Sequence, residues 1–391
     1  MESRDSLRVL HIASWYPSKV HESLGNFIQR HISAIATKHI CELWYSSPIH
    51  ANDPLKGSIS VDDSNGFIER IAYPRSTRPD VRAVTRSLLN FEPGKNIAMP
   101  DIIHLHVAFP AGRAARILSE KWNIPLVITE HWTAYHDSQH IPLWRRIAMR
   151  RTASSTSVFC PVTNQLGQTM RQFKMVNRNG TETYRVIPNV VDIEKFKLCD
   201  SPKSKDDGLK ILHVSSLEEA QKNITGILNT ISYIRSSKPD FKFSLTIVGG
   251  AETERLNKVR RYATISKLVE PYVKFTGVLS EESVSEEMRN SDALLLFSRK
   301  ENFPCVIAEA WACGKPVITT DVGGISEHMS EERGIMVNSG DEIALAKAIL
   351  NLDKEWDAEK IRSYAVDNFS IDAVAEAYTE AYQIALKSSN E

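Results

Sequence analysis

Short apolar runs recur along the chain, and each is followed by a segment with helix-like spacing. They are LRVLHIA, DIIHLHV, PLVITEH and SVFCPV in the first half, then LKILHVS, FSLTIVG, YVKFTGV, DALLLFS and KPVITT in the second. Runs rich in Val, Ile and Leu are typical of strands that helices cover on both faces. Their alternation with helical segments predicts parallel α/β sheets, and there are enough runs for two of them.

A seam between two domains is predicted near Asn189, within the stretch RVIPNVVDIEKF. A polar, turn-rich stretch and a fresh strand follow, so we assign residues 1–188 to a first domain and 189–370 to a second. The last segment, SIDAVAEAYTEAYQIA, is amphipathic, and Ser370 is a suitable N-cap for a helix there. Ligands of open α/β folds bind at the carboxyl ends of the strands, so a cleft between two such sheets is the expected site.

Composition restricts the class of protein. The 391 residues include 48 basic and 48 acidic ones, and this formal net charge of +0 gives no global electrostatic case for binding nucleic acid. No apolar stretch approaches the ~18 residues of a membrane span, and the amino terminus lacks the apolar core of a signal peptide. The five cysteines form no C-x-x-C pair. We therefore expect a cytoplasmic protein with reduced thiols, at most peripheral to a membrane.

The segment SRKENFPCVIAEAWACGKPVITTDVGG carries the candidate chemistry. Glu301 and Glu309 have seven residues between them, Pro304 suits the first turn of a helix, and Gly314 suits its end. By itself, either carboxylate is most simply a solvated surface group. Their placement around a helix start is what points to a site.

Backbone N–H groups at that helix start, around Cys305 and Val306, attract an anion. A carboxylate on each side of the anion site can accept hydrogen bonds from vicinal hydroxyl groups. A nucleotide sugar fits this arrangement, because it has hydroxyl groups on both sides of its phosphates.

The same segment resembles the E-x7-E signature of retaining glycosyltransferases of family 4, which have the GT-B fold. Similar motifs extend over nearly the whole chain, namely VLHIASWYPSKVHESLGNFIQRH, DIIHLH, ITEHW, VIPNVVDIEKF and QKNITGIL. Each motif is weak alone, but their joint order and spacing are specific. The resemblance implies two Rossmann-like domains facing a central cleft, with residues 371–391 crossing back onto the first domain.

The resemblance also implies roles for individual residues. Glu301 would contact the transferred sugar, His131 would face it from the first domain, and Lys222 would neutralise the leaving diphosphate. Glu309 would hold the ribose hydroxyl groups, and Gly25 would let the backbone approach the donor phosphates. The other residues placed at the donor are Asn302, Phe303, Cys305, Val306, Ser216 and Arg299.

No metal is expected in this reaction. The chain has no D-x-D motif of the kind that holds a divalent ion on a diphosphate. A lysine and a helix N-terminus can stabilise the same departing charge electrostatically. The donor, UDP- or GDP-linked, would be a substrate, and no separate cofactor is implied.

The sequence departs from the family pattern at one position. The family has Gly-Arg six residues before its lysine, and here Ser215 and Ser216 stand there. One phosphate-binding cation is therefore missing. Arg299 or Lys300 could replace it, or the serine hydroxyl groups could bond the phosphates directly.

Several histidines offer a metal site as an alternative. These histidines lie in or after two predicted strands, and Glu130 lies among them. They are His104, His106, His131, His136 and His140. Residues i and i+2 share one strand face and could ligate zinc. We expect the strand of His104 to aim at the cleft, so a sugar contact is favoured over a metal. A histidine packed beneath the site is the structural alternative for His104.

Residues 141–151, IPLWRRIAMRR, predict a helix with an apolar arc. Arg145, Arg146 and Arg150 fall opposite that arc. Such a helix could lie on an anionic membrane surface, although an ordinary domain helix with a basic face is the simpler interpretation.

The sequence favours a glycosyltransferase acting on a glycan or lipid-linked acceptor, in bacterial surface polysaccharide or glycoconjugate synthesis. A nucleotide-sugar epimerase of the same fold is one alternative. A non-catalytic subunit that binds a nucleotide sugar is the other, and only Ser216 favours it. A dehydrogenase is disfavoured because no G-x-G-x-x-G follows a strand.

Overall fold

The protein is described here by a computed structural model, in which the chain divides into two compact units. Met1–Val190 with Ile371–Glu391 form the first domain, and Val191–Ser370 form the second. The polar stretch after the predicted seam lies partly outside the described residues. These are 6–22, 24–50, 52–76, 81–94, 99–177, 183–199, 208–250, 253–268, 270–352 and 355–388.

The first domain is built on one mostly parallel sheet. Its described strands are β1 (Arg8–Ala13), β2 (Ile40–Ser46), β3 (Ile59–Asp62), β4 (Ile68–Ala72), β5 (Ile102–His106), β6 (Leu126–Glu130), β7 (Thr156–Pro161) and β8 (Thr183–Tyr184). They lie in the order β3-β4-β2-β1-β5-β6-β7-β8. Only the pairing of β3 with β4 is antiparallel among the described strands.

The second domain is built on a sheet whose described strands are all parallel. They are β9 (Leu209–Ser215), β10 (Phe243–Gly249), β11 (Val273–Gly277), β12 (Ala293–Leu296), β13 (Val317–Thr320) and β14 (Gly334–Val337). Their order is β11-β10-β9-β12-β13-β14. The apolar runs LKILHVS and FSLTIVG are β9 and β10 from end to end.

Helices connect the strands and cover both sheets. They are α1 (Asn26–Ala36), α2 (Val81–Leu89), α3 (Gly112–Trp122), α4 (Leu143–Ala153), α5 (Asn164–Gln172), α6 (Glu219–Lys222), α7 (Ile224–Ser237), α8 (Thr253–Ile265), α9 (Glu281–Asn290), α10 (Cys305–Ala312), α11 (Glu342–Leu350), α12 (Ala358–Phe369) and α13 (Ile371–Ser388), with 3₁₀ segments at Thr133–His140 and Gly323–Glu327. None of the described helices combines the length and hydropathy that a membrane span needs.

The predicted fold class is confirmed: two parallel-sheet, Rossmann-like domains with the last helix packed on the first. Helix α13 begins directly after Ser370, as the sequence predicts, and contacts α1 and β7. Its buried face includes Tyr378 and Tyr382, which join the same core cluster as Ile28 and Ile32 of α1. The first domain is therefore completed by residues from the far end of the chain.

Candidate active site

The second domain contains a topological switch point between β9 and β12. Strands β10 and β11 lie on one side of β9, and β12 to β14 lie on the other. Loops that leave β9 and β12 at their carboxyl ends therefore diverge to opposite sides of the sheet. Open α/β sheets bind ligands in the crevice that this divergence creates. Lys222 follows β9, and Glu301 follows β12.

Lys222 and Glu301 form an ion pair at this switch point. The Nζ atom of Lys222 donates to Oε1 of Glu301. The side chains are 13% and 6% exposed, so the pair is nearly removed from water. Ser298 Oγ donates to the same Oε1 at 2.8 Å, and Gln221 Nε2 lies 3.4 Å from Oε2. Two residues that the sequence placed at different parts of the donor are thus brought together.

His213 supports the loop that carries Lys222. Its Nδ1 contacts the carbonyl oxygen of Leu295 at 2.8 Å and therefore carries the hydrogen. Nε2 is then an acceptor, and Ser215 Oγ donates to it at 2.7 Å, while the same Oγ accepts from the N–H of Leu217 at 3.1 Å. Burial lowers the pKa of His213 to about 4. The sequence analysis missed this residue, although His213 and Ser215 share one face of β9.

Helix α10 begins beside Glu301, and Glu309 lies within it. The helix starts at Cys305, so Pro304 is its N-cap rather than part of its first turn as predicted. Its end is as predicted: Gly314 has φ +68°, and the N–H groups of Gly314 and Lys315 bond the carbonyls of Trp311 and Ala310.

Glu309 is only 6% exposed. It is the fifth residue of an eight-residue helix, and therefore lies one turn after the N–H groups of Cys305 and Val306 at the helix start.

Phe303 belongs to the core of the second domain. Its ring lies 4.6 Å from that of His328 and 5.1 Å from that of Phe369, measured between centroids. The side chain is therefore directed into the domain, and a donor could meet only the backbone here. The backbone carbonyl of Asn302 accepts from Gly324 N at 2.9 Å, and Asn302 itself is buried.

Ser216 is exposed in the loop after β9. Arg299 is one of the proposed replacements for the missing arginine. Its guanidinium group makes two hydrogen bonds within the second domain. It donates to the carbonyl of Glu219 at 2.6 Å and to Oδ1 of Asn223. Arg299 thus holds the junction of α6 and α7, next to Lys222. A guanidinium group has five N–H donors, so Arg299 can keep these two partners and still donate to a phosphate.

Gly25 begins helix α1 of the first domain with φ +73°. A Cβ atom at this position would lie 2.8 Å from the carbonyl carbon and oxygen of Trp15 and 3.0 Å from Tyr16 N. Both the backbone angle and the close approach therefore require glycine. This requirement is structural and is compatible with a role in donor binding.

His131 directly follows β6, and Glu130 fixes the loop around it. The Glu130 carboxylate accepts from the N–H groups of His131 and Trp132, both at 3.1 Å, from Ala108 N at 3.0 Å and from the hydroxyl of Tyr135 at 2.9 Å. The His131 ring packs against Phe27, with centroids 4.6 Å apart. Burial lowers the pKa of His131, which favours the neutral imidazole.

A directional chain of hydrogen bonds runs under helix α13. Asn189 Oδ1 only accepts, so His31 Nε2, at 3.3 Å, carries the hydrogen. His31 Nδ1 therefore accepts from the Tyr378 hydroxyl at 2.8 Å. The Tyr378 oxygen accepts from Thr129 Oγ1 at 2.9 Å.

Thr129 in turn accepts from His104 Nε2 at 2.7 Å. Tyr382 donates to His104 Nδ1, also at 2.7 Å. Each imidazole in this chain is thus a neutral, single tautomer.

This chain of bonds uses both ring nitrogens of His104, one of the histidines that suggested a metal site. Nitrogen atoms of His11, His104 and His106 lie within 4.8 Å of one another. However, His104 has a hydrogen on Nε2, and the lone pair on its Nδ1 accepts from the Tyr382 hydroxyl, so neither nitrogen of His104 is open to a metal in this arrangement. His104 and His106 are fully buried. The expectation that they aim at a cleft is wrong, and the structural alternative, packing beneath the surface, holds.

Helix α4 is oriented opposite to the expectation for a basic outer face. Arg145 lies over the ring of Phe109, 4.4 Å from its centroid, and Arg146 and Arg150 lie over Phe173 at 5.5 and 5.2 Å. These arginines bind inward because flat guanidinium groups stack well on aromatic faces. Leu143, Trp144 and Ile147 of the helix are exposed instead, whereas Ile141 is buried.

Two family models match the chain. Residues 208–355 match the model of the glycosyl transferases group 1, and residues 52–195 match that of glycosyltransferase family 4. The chain belongs to glycosyltransferase family 4. As a member of this retaining family, it is an enzyme that transfers a sugar, which disfavours the epimerase and the non-catalytic subunit that the sequence left open.

Relatives and solved structures resemble this family 4 glycosyltransferase along its whole length. It is 25% identical over 406 residues to TuaC of Bacillus subtilis, a proposed teichuronic acid biosynthesis glycosyltransferase, in a match that covers 98% of this chain and 100% of the relative. A sucrose-phosphate synthase from Thermosynechococcus elongatus has a similar fold, with a TM-score of 0.74 at 19% identity over 96% of this chain and 98% of that chain. Anabaena HepE in complex with UDP-glucose has a TM-score of 0.70 at 18% identity over 98% of this chain and 100% of that chain.

Proposed function

We propose that this glycosyltransferase moves a sugar from a nucleotide-sugar donor to a glycan or lipid-linked acceptor, with retention and without a metal. The observation that carries the proposal is the Lys222–Glu301 pair at the switch point of the second domain. It supplies a cation and a carboxylate beside the start of α10, where a diphosphate and its sugar both need partners. UDP-glucose bound to the related fold of HepE is consistent with such a donor.

The chemistry follows from what each group can do. Cleavage of the sugar–phosphate bond leaves negative charge on a diphosphate, and the sugar passes through an oxocarbenium-like state. Lys222 Nζ has three hydrogens, so it can keep its hydrogen bond to Glu301 and donate a second one to a phosphate oxygen. The α10 N-terminus adds N–H donors to the same charge. Glu301 then accepts from sugar hydroxyl groups, and Glu309 from those of the ribose.

The resemblance alone assigns the remaining donor contacts. Those in the first domain are Gly25 and His131, and those in the second are Asn302, Phe303, Ser216 and Arg299. Phe303 would contribute through its backbone, since its side chain lies in the core. The similarity to TuaC supports a role in bacterial surface polysaccharide synthesis. We place the protein in the cytoplasm.

A thermal-shift experiment tests the donor site. UDP, GDP, ADP and CMP are added to the wild type, to Glu309→Gln and to Glu355→Gln, with and without magnesium. Glu355 is exposed and lies on the same domain, so its variant is a matched control. At 100 times its dissociation constant, the correct nucleotide should stabilise the wild type and the control by roughly 2.7 kcal/mol. Glu309→Gln should lose most of this effect. The proposal is wrong if no nucleotide stabilises the wild type or if magnesium is required.

A further inference from the structure

Strands β9 and β12 separate at the switch point of the second domain, and the side chain of His213 spans the gap between them. Their described backbone pairing reaches as far as Leu212 and Leu294. His213, the next residue of β9, donates from Nδ1 to the carbonyl oxygen of Leu295, the next residue of β12, at 2.8 Å. A side chain thus continues the contact between the two strands where the crevice between their loops begins.

The other ring nitrogen of His213 holds the turn that follows β9. Ser215 Oγ donates to Nε2 at 2.7 Å and accepts from the N–H of Leu217 at 3.1 Å. Leu217 has φ +58°, a left-handed backbone conformation that leucine seldom adopts. Burial keeps the imidazole neutral, because it lowers the pKa of His213 to about 4, so Nε2 remains an acceptor. The imidazole therefore helps to hold a turn that the backbone alone would disfavour.

Ser216 lies between the two residues that this hydrogen bonding fixes, and it is exposed. It stands where family 4 has an arginine that meets the diphosphate. An arginine can adjust to a phosphate through the rotatable bonds of its long side chain. A serine hydroxyl group is attached directly to Cβ, so it reaches only what the backbone brings to it. A serine can replace the arginine only if the turn that carries it is held in place.

We propose that His213 is a positioning residue of the donor site, which fixes this turn so that the Ser216 hydroxyl group donates to the diphosphate in place of the missing arginine. The inference rests on the proposed function, since the diphosphate is part of it. His213 is fully buried and touches no donor atom. It acts through Ser215: Nδ1 anchors the imidazole on β12, and Nε2 sets the turn.

Calorimetric titration of nucleoside diphosphates into variants of the full chain tests the proposal. UDP, GDP and ADP are titrated into the wild type without metal, and the one that binds most tightly is used throughout. His213→Gln offers an amide oxygen where Nε2 accepts from Ser215, whereas His213→Asn keeps a donor near Leu295 and loses that acceptor. Ser216→Ala removes the hydroxyl group that is proposed to meet the phosphate.

The matched control is Ser285→Ala, at a buried serine of the same domain. Like Ser215, it uses its hydroxyl group in both directions. Its Oγ donates to the carbonyl oxygen of Lys195 and accepts from Arg289 Nη1, both at 2.6 Å. Thermal unfolding of each variant confirms that it is folded, and only folded variants are compared.

We expect His213→Asn and Ser216→Ala each to weaken nucleotide binding about tenfold, and His213→Gln and the control to bind like the wild type. The double variant His213→Asn with Ser216→Ala should also bind about tenfold more weakly rather than ~100-fold, because both changes remove the same contact. A histidine that only filled space would give losses that multiply, and His213→Gln would not restore binding.

Equal binding by the wild type and His213→Asn would overturn the role of His213 and leave the proposed function standing. Multiplied losses in the double variant would do the same, and so would equal weakening by His213→Gln and His213→Asn. If His213→Asn does not fold, unchanged binding by Ser216→Ala still overturns the inference. If the wild type binds none of the three nucleotides, the proposed function itself fails, and the inference about His213 fails with it.

Discussion

Lys222 and Glu301 are joined by an ion pair that links the loop after β9 to the loop after β12. A lysine that serves only as a phosphate ligand would not need this partner. In the proposed donor site, the pair would hold the cation in place before a donor arrives, and no reorganisation would be required at the moment of bond cleavage.

Breaking this pair should separate stability from activity. Lys222→Met leaves Glu301 buried and uncompensated, at a cost of roughly 3 kcal/mol or more. Lys222→Met with Glu301→Gln should recover most of that stability but remain at least ~100-fold less active, because the cation proposed for the leaving group is still missing. Thermal unfolding and initial rates of nucleotide release measure the two effects.

Lys360→Met is the matched control, since the Lys360–Glu332 pair is more than half exposed on both sides. It should cost less than about 1 kcal/mol. A double variant as unstable as Lys222→Met would contradict the pairing.

Glycine at position 249 is required by a close backbone contact. A Cβ atom there would lie 1.8 Å from the carbonyl oxygen of Ser215, at the end of β9. Gly249→Ala should therefore destabilise the second domain by roughly 3 kcal/mol or more. Gly340 also has a positive φ, +82°, but no atom lies within 4 Å of its Cβ position. Gly340→Ala should cost only ~1 kcal/mol. Calorimetric unfolding measures the loss of stability in both variants. Equal losses of unfolding free energy would refute the steric argument.

The tyrosines of α13 should contribute to the stability of the first domain through their hydroxyl groups. Tyr378→Phe leaves His31 Nδ1 without its donor, at a cost of about 1–3 kcal/mol. Tyr382→Phe removes the donor to His104 Nδ1 and should cost a similar amount. Tyr233→Phe, at a half-exposed tyrosine on α7, should be neutral. Hydrogen exchange across residues 371–388 should rise in the first two variants and stay unchanged in the third.

Stability should fall as the pH is lowered below 6.5. Burial lowers the pKa of His31 to about 4 and that of His11 to about 3, whereas the unfolded value is 6.5. The unfolded state therefore binds protons that the folded state does not, and stability is complete above pH 6.5. It is lost from pH 6.5 down to about 4 for His31 and down to about 3 for His11, at roughly 1.4 kcal/mol per pH unit for each histidine.

Urea unfolding across this range measures the pH effect. His50→Gln removes an exposed histidine and should leave the slope unchanged. A stability that is constant from pH 7 to 5 would show that these histidines are not neutral in the folded protein.

Sequence periodicity was sufficient where structure is local. Strands β9 and β10 coincide with runs rich in Val, Ile and Leu, and the end of α10 at Gly314 follows from one residue type. Strand β2 was missed because Glu42 interrupts its apolar pattern. In the structure that carboxylate is buried and compensated by Arg70 Nε and Trp44 Nε1, both at 2.7 Å. The ion pair with Arg70 depends on the neighbouring strand β4, which periodicity does not describe.

The candidate site shows the same limit. The sequence identifies Lys222 and Glu301 singly, but their pairing depends on the strand order that places β9 next to β12. For α4, a helical wheel separates apolar from basic residues without saying which side faces the domain. Phe109 and Phe173 settle that question, and both lie outside the helix.

The arrangement of α13 has a consequence for synthesis of the protein on the ribosome. The strands of the first domain emerge early, but the tyrosines that complete it emerge only after the 180 residues of Val191–Ser370. At ordinary translation rates, the delay is on the order of ten seconds or more. During that time the imidazoles of His31 and His104 lack their hydroxyl donors, and the face of α1 that α13 covers is open. The second domain, which is continuous in the chain, is therefore expected to reach its native state first, and the first domain is expected to depend longer on protection from chaperones.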